Sequence, residues 1–364
     1  MFHVRLRLLA FGTLTAAAAL TGTAFASPAH AATPQYTLKI IGSQGAQVSG
    51  INKNGAIFGI ADESGAVTQE GFLLQAGSTT MQFLSAPGDQ ANASSLVSPG
   101  GINSAADVVG FTESDKTGTI TAAEWPDSST PANLGTLAGV QGLVTAPEAT
   151  GINDNGLITG FGSDGHGEAG FTIQGSTVTR LPALPNGGVD VIPLAVSNSG
   201  LVVGKADNST TGTQAAAWSN GTITALGGLP GSTDSQATAV NASGEAVGTS
   251  VDPADSDGHA VLYANGTVTD LHAPGTGDPD SDAEANAIND SGVIVGQGGN
   301  GDAFVYSNGQ AIDLNTLIAA GSGFTLNTAT GINDNGVIVG TASLAAHPNE
   351  TFGFELTPIG AQSS

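Results

Sequence analysis

The 364-residue chain has no cysteine, only 7 Lys+Arg against 31 Asp+Glu, and only 5% aromatic residues. Without cysteine there is no disulfide scaffold, no thiolate metal site, no thiol catalysis and no lipid-modified N-terminal Cys. The shortage of bases leaves a formal net charge of −24. That excludes a nucleic-acid or anionic-membrane binder working through a basic surface. Three motifs are also missing: the His-Glu-x-x-His of zinc hydrolases, the Gly-x-Ser-x-Gly nucleophile elbow and the phosphate-cradling Gly-x-x-x-x-Gly-Lys. What is plentiful is glycine, 54 residues, without the Gly-X-Y period of collagen. Apolar residues reach 40%, enough to build a core, so the chain is not a disordered acidic tail.

Residues 1–31 read as an address. Arg5 and Arg7 form a basic start, Leu8 to Leu20 is apolar apart from Gly12, Thr13 and Thr15, and Ala29-His30-Ala31 is a small-x-small cleavage site. This is the anatomy of a secretory signal peptide. The apolar run is shorter than the roughly 20 residues a membrane-spanning helix needs. Residues 32–364 are therefore expected to form one secreted, extracellular and monomeric domain with no membrane span. It would keep all 31 acids but only 5 of the bases.

One pattern recurs through that domain: a small residue, Ile or Val, Asn, two mostly polar residues, Gly, three mostly apolar residues, Gly. The copies occupy 50–59, 101–110, 151–160, 195–204, 239–248, 287–296 and 331–340. Their closing glycines lie 51, 50, 44, 44, 48 and 44 residues apart, a period that belongs to β-propeller blades. The pattern is turn chemistry. Asn52, Asn103, Asn153, Asn241, Asn289 and Asn333 should accept hydrogen bonds from their own turns, with the following Gly supplying a positive φ. In the fourth copy Ser197 takes the Asn position. In the second, Ala106 stands where the others have Gly, so that turn should be the most strained.

The run after each turn, such as Leu201-Val202-Val203 or Val293-Ile294-Val295, is apolar at consecutive positions, which implies a strand buried on both faces. A third strand follows, as at Ala216-Ala217-Trp218 or Ala303-Phe304-Val305-Tyr306. Then come an Asn-Gly turn and a fourth strand, as at Thr222 to Leu226. The seventh copy stops after its third strand, near Leu356, while Tyr36–Ile41 is an orphan strand of the fourth type. The predicted fold is all-β: a seven-bladed β-propeller of four-stranded antiparallel blades, closed by the N-terminal strand pairing with the last blade.

The Ile-Asn-x-x-Gly-x-x-x-Gly core resembles the HAF-type extracellular repeat of secreted, mostly bacterial proteins. So do the intact Leu134-Gly135-Thr136-Leu137 and Leu226-Gly227-Gly228-Leu229 elements and the degenerate tripeptides His259-Ala260-Val261 and Asp302-Ala303-Phe304. The similarity spans 36–357. It implies secretion and a repeat fold, and it carries no catalytic residue.

In a ring of such blades, the second-to-third-strand loops and the blade-to-blade connections share one rim. They hold 21 of the 31 acids, so that rim should be strongly acidic. Within it, Asp278, Asp280, Asp282 and Glu284 place carboxylates two residues apart, an oxygen-rich pattern that suits Ca²⁺ although it is not an EF-hand loop. The other reading of that stretch is a solvated acidic loop that keeps the protein soluble. His166, His259, His272 and His347 fall in separate parts of the sequence. Trp125 and Trp218 occupy the third-strand core position and read as packing residues. Two functions follow. The first is a non-catalytic binding or scaffold propeller whose acidic rim takes a cation, a cationic protein or a cell-surface polymer. The second is an extracellular polysaccharide hydrolase or lyase. An axial cavity with converging carboxylates would favour the enzyme, and an axis plugged by apolar side chains the scaffold.

Overall fold

Each Gly-Ile-Asn copy folds as the turn between the first two strands of a four-stranded antiparallel sheet. The computed structural model describes residues 35–360 apart from 63–68, 87–92, 115–116, 128–130, 186, 211, 252–256 and 274–281. Blade 1 comprises Gln47–Ile51, Ile57–Asp62, Gln69–Leu74 and Gln82–Phe83, and blade 2 Ala93–Ile102, Val108–Ser114, Ile120–Trp125 and Ala132–Asn133. Blade 3 is Thr145–Ile152, Leu157–Ser163, Glu168–Gln174 and Thr177–Arg180. Blade 4 is Gly187–Val196, Val202–Asn208, Gly212–Ser219 and Thr222–Gly227. Blade 5 is Asp234–Val240, Ala246–Val251, Gly258–Ala264 and Thr267–Asp270, and blade 6 Glu284–Ile288, Ile294–Gln297, Ala303–Ser307 and Gln310–Asp313. Blade 7 takes three strands from the C-terminal end, Phe324–Ile332, Ile338–Leu344 and His347–Pro358. Its fourth is Tyr36–Ile41, paired antiparallel from Tyr36↔Pro358 to Ile41↔Gly353. The two ends of the chain close the ring, as the orphan strand predicted.

The core is divided rather than central. Each interface between neighbouring blades has its own apolar cluster. Consecutive residues of the second strands feed the two clusters on either side. Ile57 packs between blades 7 and 1 and Phe58 between 1 and 2. Val202 packs between 3 and 4 and Val203 between 4 and 5. Because side chains alternate across a strand, an unbroken apolar run is what a blade sandwiched between two others requires. The third strands supply most of the largest buried groups, Phe72, Phe171, Trp218, Phe304 and Phe354, and the second strand of blade 1 adds Phe58. Both indole N–H groups are satisfied by the connections beneath them, Trp125 donating to the Ser85 carbonyl at 2.7 Å and Trp218 to that of Pro182 at 2.8 Å. They are packing residues.

The repeat glycines have two different reasons. The first of each pair sits at positive φ, between 72° and 89° in Gly55, Gly156, Gly200, Gly244, Gly292 and Gly336. Ala106 is forced to the same region at 67°. The second permits a bulge. The first strand gains a residue between Val48 and Gly50, and again between Ala149 and Gly151 and between Ala285 and Ala287. There a Cβ on Gly59, Gly160 or Gly296 would land on the carbonyl oxygen of Gln47, Glu148 or Glu284. In blades 4, 5 and 6 the hairpins after the third strands are Asn-Gly turns with both residues at positive φ, as at Asn220 (50°) and Gly221 (75°). One departure from the predicted meander lies between blades 2 and 3. Here Leu134–Thr136 forms a 3-10 turn and Ala138–Leu143 a short α-helix. Val140 is fully buried and fixes this helix in the cluster between those blades.

Candidate functional site

The first strands of all seven blades surround a cavity of about 990 Å³ along the ring axis. Among the described residues no side chain plugs the axis, which is open. Its wall is built in tiers that follow from the repeat. At the turn end, each repeat Asn is buried and, in four of the copies, does two things. Its Oδ1 accepts from its own turn, as Asn153 does from Asn155 N (3.0 Å) and Leu157 N (2.9 Å). Its Nδ2 donates to the next blade: Asn52 to the Asn103 carbonyl at 2.8 Å, Asn153 to Ser197 at 2.9 Å, Asn241 to Asn289 at 3.2 Å and Asn289 to Asn333 at 3.1 Å, whereas Asn103 donates to Asp107 Oδ2 of its own turn at 2.9 Å. The first role was legible from turn chemistry, but the second requires knowing which blade comes next. A second tier comes from the bulged residue three positions earlier. Thr150 Oγ1 donates to the Pro193 carbonyl at 2.9 Å, Thr238 to Ala285 at 2.6 Å, Asn286 Nδ2 to Ala329 at 3.1 Å and Thr330 to Val48 at 2.9 Å. The last of these crosses the closure between blades 7 and 1.

The residue after each Asn lines the turn-side mouth: Lys53, Ser104, Asp154, Asn198, Ala242, Asp290 and Asp334. Backbone N–H groups of one blade donate to the side chain of the next, as Ser104 does to Asp154 (2.7 Å), Ala242 to Asp290 (2.8 Å) and Asp290 to Asp334 (2.9 Å). Lys53 reaches past blade 2 to Asp154 Oδ2 at 2.6 Å. The hydrogen bond from Lys53 to Asp154 and the charges of Asp154, Asp334 and Asp290 raise the lysine pKa. Burial works against the Asp154 carboxylate, but hydrogen bonds from Lys53 and Ser104 overcome it and hold the group at about 2. This acidic mouth was missed from the sequence. Its signal was there in the position after the repeat Asn, read down the copies.

The opposite mouth opens on the rim predicted to be acidic. Glu148 and Glu284 line the cavity from blades 3 and 6, with Gln47 and Gln236 beside them. Ile60, Phe111 and Phe161 give blades 1 to 3 an apolar wall there. Burial, then the charge of Glu168, pushes the Glu148 carboxyl above its ordinary value. Glu168 is itself raised by burial and by Asp190 and Asp164. Some rim acids serve the framework. Asp190, Asp234 and Asp282 stand at equivalent places in blades 4, 5 and 6. Each accepts a backbone N–H from the third strand of the preceding blade: Glu168 at 2.7 Å, Thr213 at 3.2 Å and Gly258 at 3.3 Å.

That pattern bears on the four-carboxylate stretch. Asp282 Oδ1 holds the blade 5–6 connection, Glu284 begins the first strand of blade 6 and faces the channel, and Asp278 and Asp280 lie outside the described residues. Among the described residues no group of three or more His, Asp or Glu side chains is arranged to hold a metal ion. The histidines are less scattered than the sequence suggested. His259 Nδ1 lies 3.1 Å and His272 Nδ1 3.5 Å from the Asp270 carboxylate, because His259 and Asp270 belong to paired strands of blade 5 and His272 follows at once. Asp270 and His272 border a smaller surface cavity with Tyr306 and Gln310, and neither they nor His259 lie in the described channel lining.

Among the described residues no helix is long and apolar enough to cross a membrane. No family model and no curated protein matches the chain. Among solved structures it is similar to TolB from Acinetobacter baumannii, at 10% identity and a TM-score of 0.40. The match covers 62% of this chain and 51% of that one, so it spans about half the length of the TolB chain.

Proposed function

We propose that this chain is a secreted, non-catalytic binding propeller of the HAF-repeat type, released by cleavage after residue 31, whose axial channel and acidic rim take a cationic partner. The observation that carries the reading is the charge of the open channel. Glu148 and Glu284 stand at one mouth and Asp154, Asp290 and Asp334 at the other, against Lys53 alone among the bases of its described lining. A cleft lined by one sign of charge focuses its field and draws in the opposite sign. The test is titration of the full chain with fluorescent oligolysine and oligoglutamate peptides at rising salt. Oligolysine should bind, lose affinity with salt, and bind more weakly to the Glu148→Gln/Glu284→Gln variant. Equal binding of the two peptides, or none, would refute the proposal. The 278–284 stretch is proposed as a Ca²⁺ loop on the same rim. Calorimetry showing no heat of Ca²⁺ binding, with melting unchanged by chelator, would remove that part alone.

One observation favours the enzymatic alternative. Glu148, a channel carboxyl with a raised pKa, has the property of a general acid. Yet no histidine lies in the described channel lining, and Glu168, not Glu284, is the carboxylate that acts on Glu148. Release of reducing or unsaturated ends from a polysaccharide panel, abolished by Glu148→Gln, would establish the enzyme instead.

A further inference from the structure

Among the described residues, the channel-wall hydrogen bonds given by the bulge residue, the turn Asn and the backbone N–H after it run from each blade to the next, with Asn198 Nδ2 donating back to Asp154 Oδ2 at 2.9 Å, and one interface goes without them. Blade 3 reaches blade 4 through Thr150, Asn153, the Asp154 backbone and Asn155, whose Nδ2 donates to the Asn198 carbonyl at 3.0 Å. The 5–6 and 6–7 interfaces each use the bulge residue, the turn Asn and the backbone N–H after it. Between blades 4 and 5 every one of these donors or acceptors is replaced. Leu194 occupies the bulge and has nothing to donate. Ser197 occupies the Asn position, where its hydroxyl is engaged within blade 4 by Ser199 Oγ (2.8 Å) and Leu201 N (3.2 Å). Ala242 stands where Asp290 and Asp334 accept, so the backbone N–H after Ser197 finds no side-chain oxygen opposite.

Among the described residues, what remains directional at this seam lies toward the acidic rim: Thr213 N donates to Asp234, Ala215 N to Ser235 Oγ at 2.9 Å, Ser235 Oγ to the Gly227 carbonyl at 2.8 Å, and Leu229 N of the connection to Ser250 Oγ at 2.9 Å. Toward the turn-side mouth the contact is apolar. It is the cluster of Val203, Ala215, Ala237, Ala246 and Val261, with Leu201 against the Gly244 turn. Apolar contact is non-directional and gives way without leaving a buried donor or acceptor unpaired, whereas parting any stitched interface strands such groups.

We infer that the ring is built to part between blades 4 and 5, hinged at the acidic rim and opening at the turn-side mouth, and not at the closure where the chain ends meet. The closure is held by the Tyr36–Ile41 strand and by Thr330 donating to Val48. This seam is thus the place where the channel widens without breaking a side-chain hydrogen bond along its wall. The inference stands whatever the channel binds.

The absence of native cysteine makes a direct test simple. Ala237, Ala285 and Ala329 occupy the same position in blades 5, 6 and 7. All three are fully buried, each in the cluster against the preceding blade. Single Ala→Cys variants of the full chain are labelled with a thiol reagent under native conditions, with Val48→Cys reporting the closure. Labelling of Ala237→Cys should be at least tenfold faster than the others, and adding Leu194→Thr with Ser197→Asn should slow it to their rate. Equal rates at all four positions would mean that the interfaces open only by global unfolding and would overturn the inference. So would fastest labelling at Val48→Cys, or a rate at Ala237→Cys unchanged by the added pair.

Discussion

Replacing Asn289 separates the two jobs of the repeat asparagine. Its Oδ1 accepts from Ser291 N at 3.1 Å and Val293 N at 2.9 Å, and its Nδ2 donates to the blade 7 Asn333 carbonyl at 3.1 Å, with the residue only 5% exposed. Asn289→Ala leaves two turn N–H groups and one carbonyl to find other partners in a buried setting. At about 1 kcal/mol or more for each orphaned group, the loss should be about 3–4 kcal/mol. Asn289→Ser should cost about 1–2 kcal/mol. Ser197 in blade 4 shows that a hydroxyl still takes the Leu201 N–H of the same turn while giving up the link to the next blade. Thermal melting reads both. A ring of this size has an unfolding entropy of about 0.7 kcal/mol/K, so the alanine variant should melt roughly 4–6 °C lower and the serine variant roughly 2 °C lower. Equal losses for Ser and Ala would mean that the turn contributes nothing beyond the inter-blade link. An alanine loss under about 1 kcal/mol would refute the assignment of all three bonds.

Ala106→Gly should raise the melting temperature, since it relieves a non-glycine residue at φ 67°, a conformation costing about 1 kcal/mol; a lower melting temperature would show that the Ala106 methyl packs better than its turn is strained. Phe304→Ala should cost about 3–5 kcal/mol, because the ring is wholly buried between blades 5 and 6. A chemical-denaturation loss near zero would contradict that. The Asp154 carboxyl is held at about 2, below its ordinary 3.8, so its contribution is present above 3.8 and disappears as pH falls through about 2. Urea midpoints of wild type and Asp154→Asn should therefore differ at neutral pH and converge near pH 2. A gap independent of pH would exclude this carboxylate as its source.

The architecture was legible because each element of the repeat answers to a local rule. Asn at the turn, Gly at positive φ, Asn-Gly hairpins and consecutive apolar residues in the second strand need only short-range sterics and the alternation of a strand. The short helix Ala138–Leu143 escaped because its anchor, Val140, is explained by the space between blades 2 and 3 and not by any periodicity of its own. The candidate site was legible by half. The acidic rim follows from counting carboxylates in loops of known parity. The Lys53–Asp154 mouth pairs residues 101 apart in sequence, and the inter-blade roles of Asn153 or Thr150 depend on a neighbour 43 or 44 residues away.

The amino-acid sequence by itself determined the number of blades, their four-strand plan and the use of Tyr36–Ile41 as the closing strand, since each rests on hydrogen-bond and packing demands that any copy of the repeat must meet. Tertiary structure alone decided that the axis stays open, that carboxylates guard both mouths, and that Leu194, Ser197 and Ala242 coincide at one interface. Those facts depend on which blade faces which around the ring, and no local propensity encodes that adjacency.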